Sequence, residues 1–422
     1  MAEKLDLTIH SVGSRGDGIA ETARGPVYVP YTAPGDVIEA ETIPSRKGIV
    51  NARLAKLIRP GEGRGEPACR HFTVCGGCLL QHLTDDAYRS WLMDRTRAAL
   101  AHHGFCNSPI AAPFITPPGS RRRVSLKALR LPARIFLGFS MQGSHKIIDL
   151  AECPVTRPEL VALFGPLRDV LSRLLPEKET ASVTLTASDS GIDLVLEAAF
   201  SLDLAGRENL TDFAHAHDIA AVTWVERGFE EPVIIRHPPQ MNFGGLAVPM
   251  PPGAFIQATA ESEEVMLEII RQAAGDAGSI ADLFCGLGTF SLPLAQNAKV
   301  FAVEGLKPLL DVLQQVAGQN AGRLKGVEID HRDLFRNPLQ SDELSIFDVI
   351  LFDPPRAGAK EQVREIAASK VPTVIGISCN PNTFSRDARA LVDGGYQLTK
   401  VHPIGQFLWS HHVELVGIFQ KT

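Results

Sequence analysis

Apolar and polar positions change period several times along the chain. From residue 5 the spacing is that of strands. Leu5-Asp-Leu-Thr-Ile-His alternates, Val27-Tyr-Val-Pro and Val37-Ile-Glu-Ala-Glu-Thr-Ile follow, and Val50-Asn-Ala-Arg-Leu-Ala-Lys-Leu-Ile ends the set, with Gly13, Gly16 and Gly18 punctuating the first turns. Short strands with Gly and Pro turns predict a small, OB-like β-barrel over 1–58. Pro60-Gly-Glu-Gly-Arg-Gly-Glu-Pro67 has the composition of a linker. Helical spacing then runs from Asp85 to His103, with Tyr88, Leu92 and Leu100 on one side. Residues 59–255 read as an α+β middle domain, with strands at Arg134–Phe139, Val183–Ala187, Asp193–Ala198, Ala221–Arg227 and Pro232–His237 and a helix over Pro158–Leu175.

Beyond residue 255 the pattern alternates between helix and fully apolar strand. Ala260 to Ala274 is amphipathic, with Val265, Ile269 and Ile270 on its apolar face. Four apolar runs end abruptly in chemistry: at Asp282 before a Gly-rich loop, at Glu304, at Asp353-Pro-Pro-Arg356, and at Cys379-Asn-Pro. Such runs predict a buried, mostly parallel sheet over 256–422, and ligands sit at the carboxyl ends of its strands.

Composition narrows the class. The chain of 422 residues is 45% hydrophobic and 21% charged, which is ordinary for a globular protein of two or three domains. No apolar run approaches the ~18 residues of a membrane span, the first residues, Met-Ala-Glu-Lys-Leu-Asp, carry no apolar signal core, and a cytoplasmic location is expected. A net charge of −6 argues against indiscriminate coating of nucleic acid and leaves room for a local basic face. Two segments offer one: Gly119-Ser-Arg121-Arg-Arg-Val-Ser-Leu-Lys, which reads as a phosphate-contacting strand, and the barrel's Arg46, Lys47, Arg53, Lys56 and Arg59. The barrel itself is equally consistent with simple packing and with RNA binding.

Seven cysteines in a reducing compartment point to metal or catalysis before disulfides. Cys69, Cys75 and Cys78 fall within ten positions, spaced C-x5-C-x2-C. A fourth sulfur comes from Cys153, which Pro154 follows as Pro follows the last cysteine of an iron–sulfur run, or from Cys106. Zinc favours paired C-x2-C knuckles, and only one pair is present. The set therefore reads as a 4Fe-4S site, with zinc as the alternative.

At the C-terminal strand ends, the loop Cys285-Gly-Leu-Gly-Thr lets backbone approach a ligand, and Glu304, 22 residues beyond Asp282, suits a ribose diol. The third glycine of a dinucleotide loop is missing, because Ser291 stands there. S-adenosylmethionine, which has no pyrophosphate, fits better. Asp333 is placed near an adenine. Asp353-Pro-Pro resembles the strand end of methyltransferases acting on exocyclic base amines, but Arg356 stands where those carry an aromatic. Glu414 lies in an apolar strand, either as a solvent-facing edge acid or as a buried acid put to use.

Together, Asp282-Leu-Phe-Cys-Gly-x-Gly, Phe352-Asp-Pro-Pro-Arg-x-Gly, Ser378-Cys-Asn-Pro and His412-Val-Glu resemble the RNA uracil-5-methyltransferase family along essentially the whole chain. The resemblance implies a multidomain protein: an N-terminal TRAM domain of OB-like β-barrel form, an α+β middle domain with an iron–sulfur site at Cys69, Cys75, Cys78 and Cys153, and a C-terminal Rossmann-like α/β class I methyltransferase domain. It implies Cys379 as nucleophile on carbon 6 of uracil and Glu414 as the base that takes the carbon-5 proton. It also implies that Gln257, Phe284, Glu304, Asp333 and Asp353 line the S-adenosylmethionine pocket, although Thr259 and Thr289 stand where the family often has Asn. The expected partner is RNA, most simply 23S rRNA, for a monomeric enzyme. The alternatives are tRNA, an amine-directed methyltransferase independent of Cys379, or an RNA-binding iron–sulfur protein with an inactive methyltransferase domain.

Overall fold

A computed structural model of the chain describes residues 3–44 and 50–422. Arg46 and Lys47, two of the basic barrel positions, lie outside the described residues. The N-terminal strands form one six-stranded sheet. Its first strand, Lys4–Thr8, pairs with Val37–Ile43, and the continuation of that strand, Ser11–Val12, pairs with Gly18–Thr22 on the opposite edge. One bent strand thus joins both edges and the sheet closes into a barrel. Its core is small: Leu7, Ile9, Val27, Val29, Ile38 and a few alanines.

The middle of the chain builds a second six-stranded sheet, with Arg123–Leu131 and Thr180–Ser188 among its inner strands. The helix expected over Pro158–Leu175 is broken into Pro158–Val161 and Phe164–Leu174. Pro166 explains the break. Its ring would collide with the carbonyl of Ala162 in a continuous helix, whereas a proline in the first turn of a new helix is tolerated.

The C-terminal half is an eight-stranded sheet in the spatial order Val327–His331, Lys299–Glu304, Ser279–Leu283, Val349–Phe352, Thr373–Ser378, Glu414–Lys421, Tyr396–Gly405 and Phe114–Ile115. All strands run parallel except Glu414–Lys421, which is antiparallel to both neighbours. The central strands Val349–Phe352 and Thr373–Ser378 are almost wholly apolar and buried because helices cover both faces. Helix Ala260–Ala274 begins where Thr259 accepts a hydrogen bond from the Ser262 N–H, carries Glu261 and Glu263 in its first turn, and stops at Gly275.

Besides strand Phe114–Ile115, two segments cross the boundary expected at residue 255. Helix Asp85–His102 places Tyr88, Trp91, Leu92 and Leu100 in the core of the C-terminal sheet, beside Leu391 and Val401. The hairpin Gln240–Phe243 and Leu246–Pro249 buries Met241, Phe243, Leu246 and Val248 there as well. The apolar faces of both segments are completed only by this sheet, so the C-terminal core recruits chain from further upstream than the sequence pattern indicates. No described helix is long and apolar enough to cross a membrane.

Candidate active site

Strand direction decides what collects at one edge. The parallel strands bring their carboxyl ends there, delivering Glu304, Asp353 and, one residue past Ser378, Cys379. Strand Glu414–Lys421 is antiparallel, so its first residue, Glu414, arrives at the same edge. Gln406 follows the end of Tyr396–Gly405, and Thr116 follows the end of Phe114–Ile115. The register pairs Ser378 with Leu415, so Cys379 lies across from Glu414 on neighbouring strands. Glu414 is only 3% exposed and sits on an inner strand. The reading of it as a solvent-facing edge acid is therefore corrected.

The half of this edge that holds Cys379 and Glu414 is wired by side-chain amides. Gln257 Nε2 donates to Asp353 Oδ2 at 3.0 Å. Gln406 Nε2 donates to Glu414 Oε2 at 2.7 Å and to Gln257 Oε1 at 3.2 Å. The carboxylates at the two ends orient both amides, since each must present its NH2 to an acid. Gln406 Oε1 is left buried without a partner among the described residues. Burial, and then the nearby Asp353, hold the Glu414 carboxyl well above its ordinary range, opposed by the Gln406 hydrogen bond. Burial likewise raises Asp353, against the Gln257 hydrogen bond. The Cys379 thiol is pushed up to about 11, first by burial and then by Glu414 and Asp353, with Arg356 acting in the opposite direction.

The other half of the edge is lined by backbone N–H groups. Glu304 accepts from the Gly305 and Leu306 N–H groups at 2.7 and 2.9 Å and from the Gly286 N–H at 3.1 Å. Phe284 has a positive φ of 63°, as do Gly286 and Gly288 after it. A Cβ on Gly286 would meet nothing within 4 Å, so its backbone borders open space, whereas one on Gly288 would lie 2.5 Å from Leu313. The Phe284 ring packs 5.4 Å from that of Phe335, beside the exposed Asp333, which accepts from the Phe335 N–H and faces Arg336. Asp282 turns inward instead. It accepts from Ser291 Oγ at 2.5 Å, and burial pushes it up to about 7.

Gln257 and Thr259 are both engaged in hydrogen bonds at this edge, and Thr259 lines the same cleft as Cys379. Gln257 is 4% exposed and both ends of its amide are held within the catalytic network. The Thr259 hydroxyl is consumed by Ser262, Thr116 and the helix N-terminus. The arginine triplet is likewise turned inward. Arg122 pairs with Glu263 and donates to the Gln257 carbonyl, and Arg123 donates to the Gly253 carbonyl. Only Arg121 reaches the cleft, over the Phe407 ring. A charge run leading a strand does not say which way its side chains point.

Cys379 shares a cleft of about 390 Å³ with Arg356, Gln406, Phe407 and His412, and with Cys69, Cys75, Cys78 and Cys153. Cys106 is exposed and is not among the lining residues. Three of the four clustered sulfurs accept hydrogen bonds: Cys69 from the His71 N–H, Cys75 from the Gly77 N–H and Cys153 from Thr156 Oγ1. Burial raises Cys69, Cys75 and Cys78, the last to about 12, and the neighbouring thiols add to the shift. Among the described residues no group of three or more His, Cys, Asp or Glu side chains is arranged to hold a metal ion. Gln406 was missed by sequence reasoning, and His412 was quoted only within the His412-Val-Glu motif, with no role of its own. His412 is detectable only as the neighbour of Val413-Glu414, and burial pushes it down to about 4.

Similarity to known proteins agrees with this chemistry. The family model described as tRNA (Uracil-5-)-methyltransferase matches residues 247–422. An uncharacterized RNA methyltransferase of Brucella melitensis is 42% identical over 98% of this chain and 97% of its own length. The 23S rRNA (uracil(1939)-C(5))-methyltransferase RlmD of Pectobacterium atrosepticum is 34% identical over 99% of this chain and 94% of its own. Among solved structures, the tRNA (uracil-54, C5)-methyltransferase of Pyrococcus abyssi in complex with S-adenosyl-L-homocysteine shares the fold. Its TM-score is 0.77 at 22% identity, covering 98% of this chain and 99% of that one.

Proposed function

This chain belongs to the RNA uracil-5-methyltransferase family, S-adenosylmethionine-dependent enzymes, and from that premise we propose that it methylates carbon 5 of one uridine in 23S rRNA through a covalent Cys379–uracil adduct. The observation that carries this reading is the register that sets Cys379 across from the buried Glu414, with Asp353 at the adjacent strand end.

Carbon 5 of uracil is a weak nucleophile. Addition of the Cys379 sulfur to carbon 6 moves the ring's double-bond electrons onto carbon 5 and the carbon-4 oxygen. With the thiol held near 11, free thiolate is scarce at neutral pH, so the thiol proton passes to water as the sulfur attacks, leaving Glu414 ionised for the later step. Carbon 5 takes the methyl group from the sulfonium of S-adenosylmethionine, and S-adenosylhomocysteine departs. Glu414 removes the proton still on carbon 5, the double bond re-forms, and the sulfur is expelled from carbon 6 and regains a proton. The target base must be unpaired or turned out of its stack to enter the cleft.

Glu304 is assigned to the ribose of S-adenosylmethionine, Phe284 and Asp333 to the adenine side, and Asp353 with Gln257 to the join between cofactor and uracil. The 23S assignment rests on the relative of that printed activity, 34% identical along nearly the whole chain. The barrel is read as the RNA-binding TRAM domain.

The same reading assigns a 4Fe-4S cluster to Cys69, Cys75, Cys78 and Cys153. What supports it is one cleft holding four sulfurs, three with hydrogen-bond donors, and thiols raised by burial that would ionise only against a metal's charge. The reaction consumes no electron, so the cluster's role is to clamp the chain. Anaerobically purified protein should carry four iron and four sulfide per chain. One zinc and no sulfide would sink the assignment.

The reaction is tested with RNA containing 5-fluorouridine, which lacks the proton Glu414 must remove. Wild type with S-adenosylmethionine should form a stable protein–RNA adduct, and Cys379→Ala should form none and lose methyl transfer. Full activity of Cys379→Ala would point instead to methylation of a base amine. In a strain lacking the gene, one 5-methyluridine should disappear from 23S rRNA. Its loss from tRNA instead would overturn the rRNA assignment.

A further inference from the structure

Next to the catalytic cleft lies a second hollow of about 410 Å³, and Arg356 borders both. It forms where three parts of the chain meet. The barrel's first turn contributes Arg15, helix Asp85–His102 contributes Arg95, and the loops of the methyltransferase sheet contribute Arg356, Asn380 and His411. Asn380 immediately follows the proposed nucleophile.

The charge here is lopsided. Arg15, Arg95 and Arg356 take part in no ion pair among the described residues, whereas much of the chain's other arginine is paired. Asp17 is the one acid lining the hollow. Burial and then Arg356 lower Arg95, and burial followed by Arg95, Arg356 and Arg15 lowers His411. Arg95 Nη1 donates to the Ser14 carbonyl at 2.5 Å, which ties helix to barrel, while its buried Nε has no hydrogen-bond partner among the described residues. In an acidic protein, three like charges gathered in a polar hollow repel one another unless an anion joins them.

We infer that this hollow binds the RNA phosphodiester flanking the target uridine, with Arg15, Arg95 and Arg356 as its cationic wall. The inference rests on the proposed reading for which phosphodiester is meant, because Asn380 ties the hollow to Cys379. It gives the barrel a definite task. A base can be swung out only if the backbone beside it is held, and Arg15 brings the barrel's grip to that linkage. Phosphate is favoured over a base edge because the wall offers cations in excess and only one acid.

The test measures binding of a single-stranded RNA oligonucleotide carrying one uridine, by fluorescence anisotropy across a salt series. Arg15→Ala and Arg95→Ala should each flatten the slope of log Kd against log salt by about 0.7, the share of one phosphate on a single strand. Arg15→Lys should keep the wild-type slope. Slopes that superimpose on wild type for both alanine variants would overturn the inference. Position is tested with a neutral methylphosphonate beside the uridine. It should weaken wild-type binding about tenfold and Arg15→Ala by clearly less, because part of the contact it removes is already gone. Equal losses in both proteins would place the phosphate elsewhere. These readouts do not depend on methyl transfer. If wild type never forms 5-methyluridine yet the slopes flatten, the proposed reaction falls and the phosphate site stands.

Discussion

The two halves of one sheet edge treat their acids in opposite ways. Glu304 is met by three backbone N–H groups beside a glycine loop, so its charge is stabilised by fixed dipoles. Glu414 and Asp353, a few strands away, are deeply set and are met by neutral side-chain amides alone. The first arrangement suits an acid that binds and does not change. The second suits an acid whose proton has to come and go near neutral pH. The contrast arises from backbone geometry. The tight turn after Glu304 exposes N–H groups, whereas Glu414 enters on an antiparallel strand that spends its own on the ladder, and Asp353 is followed by Pro354 and Pro355, which have none.

The largest test removes the acid that is meant to move a proton. On the proposed reading, Glu414→Gln should lower kcat by about 10²–10⁴ while leaving binding of S-adenosylmethionine unchanged. A methylated enzyme–RNA adduct should accumulate on ordinary uridine RNA, seen as a gel-shifted protein band. Turnover within tenfold of wild type would remove Glu414 from the base role. Glu304→Ala probes the binding half. It should weaken S-adenosylmethionine by about 10–100-fold, the worth of charge-assisted hydrogen bonds, with kcat at saturation nearly unchanged. A loss confined to kcat would erase the distinction between the halves.

Much of this edge was legible because buried parallel strands are apolar runs, so an acid or thiol at the end of one stands out. Asp282, Glu304, Asp353 and Cys379 all announce themselves this way. Gln406 does not. It follows the strand Tyr396–Gly405, which is interrupted by Lys400, His402 and Pro403 and shows no clean run. Thr116 follows a two-residue strand, Phe114–Ile115, too short to give a period, which joins the sheet from a distant part of the chain. The inward turn of Arg122 and Arg123 was equally hidden, since their partners Glu263 and the Gly253 carbonyl come from over a hundred residues away. Local pattern reports elements, and tertiary pairing reports which polar groups remain free.

Gln406 gives a smaller effect with a sign. Its hydrogen bond to Glu414 Oε2 favours the ionised carboxylate and so opposes the upward push of burial. Gln406→Leu should raise Glu414 further. At pH 7 less of it is then ionised, and kcat should fall about tenfold, the scale of one hydrogen bond to a charge. The loss should be recovered as pH rises, with the acid limb of the kcat profile displaced upward. An unchanged profile would mean that the amide only fills space.

The smallest effect asks whether a raised acid implies a task at all. Asp193, in the middle-domain sheet, is 1% exposed, and burial pushes it up to about 6. One of its oxygens has no partner, and neither have buried atoms of Thr186 and Arg123, its successive cross-strand neighbours. Its folded pKa lies above the unfolded value, so the folded state holds the extra proton. The stability this gives is present below about pH 4 and is lost as pH rises through 6. Asp193→Asn should therefore gain on wild type by about 1–3 kcal/mol between pH 4 and 7, read from urea midpoints, with methyl transfer untouched. A gain at Asp193 without loss of activity, set against the loss at Glu414, would separate burial that a fold merely tolerates from burial that a reaction uses.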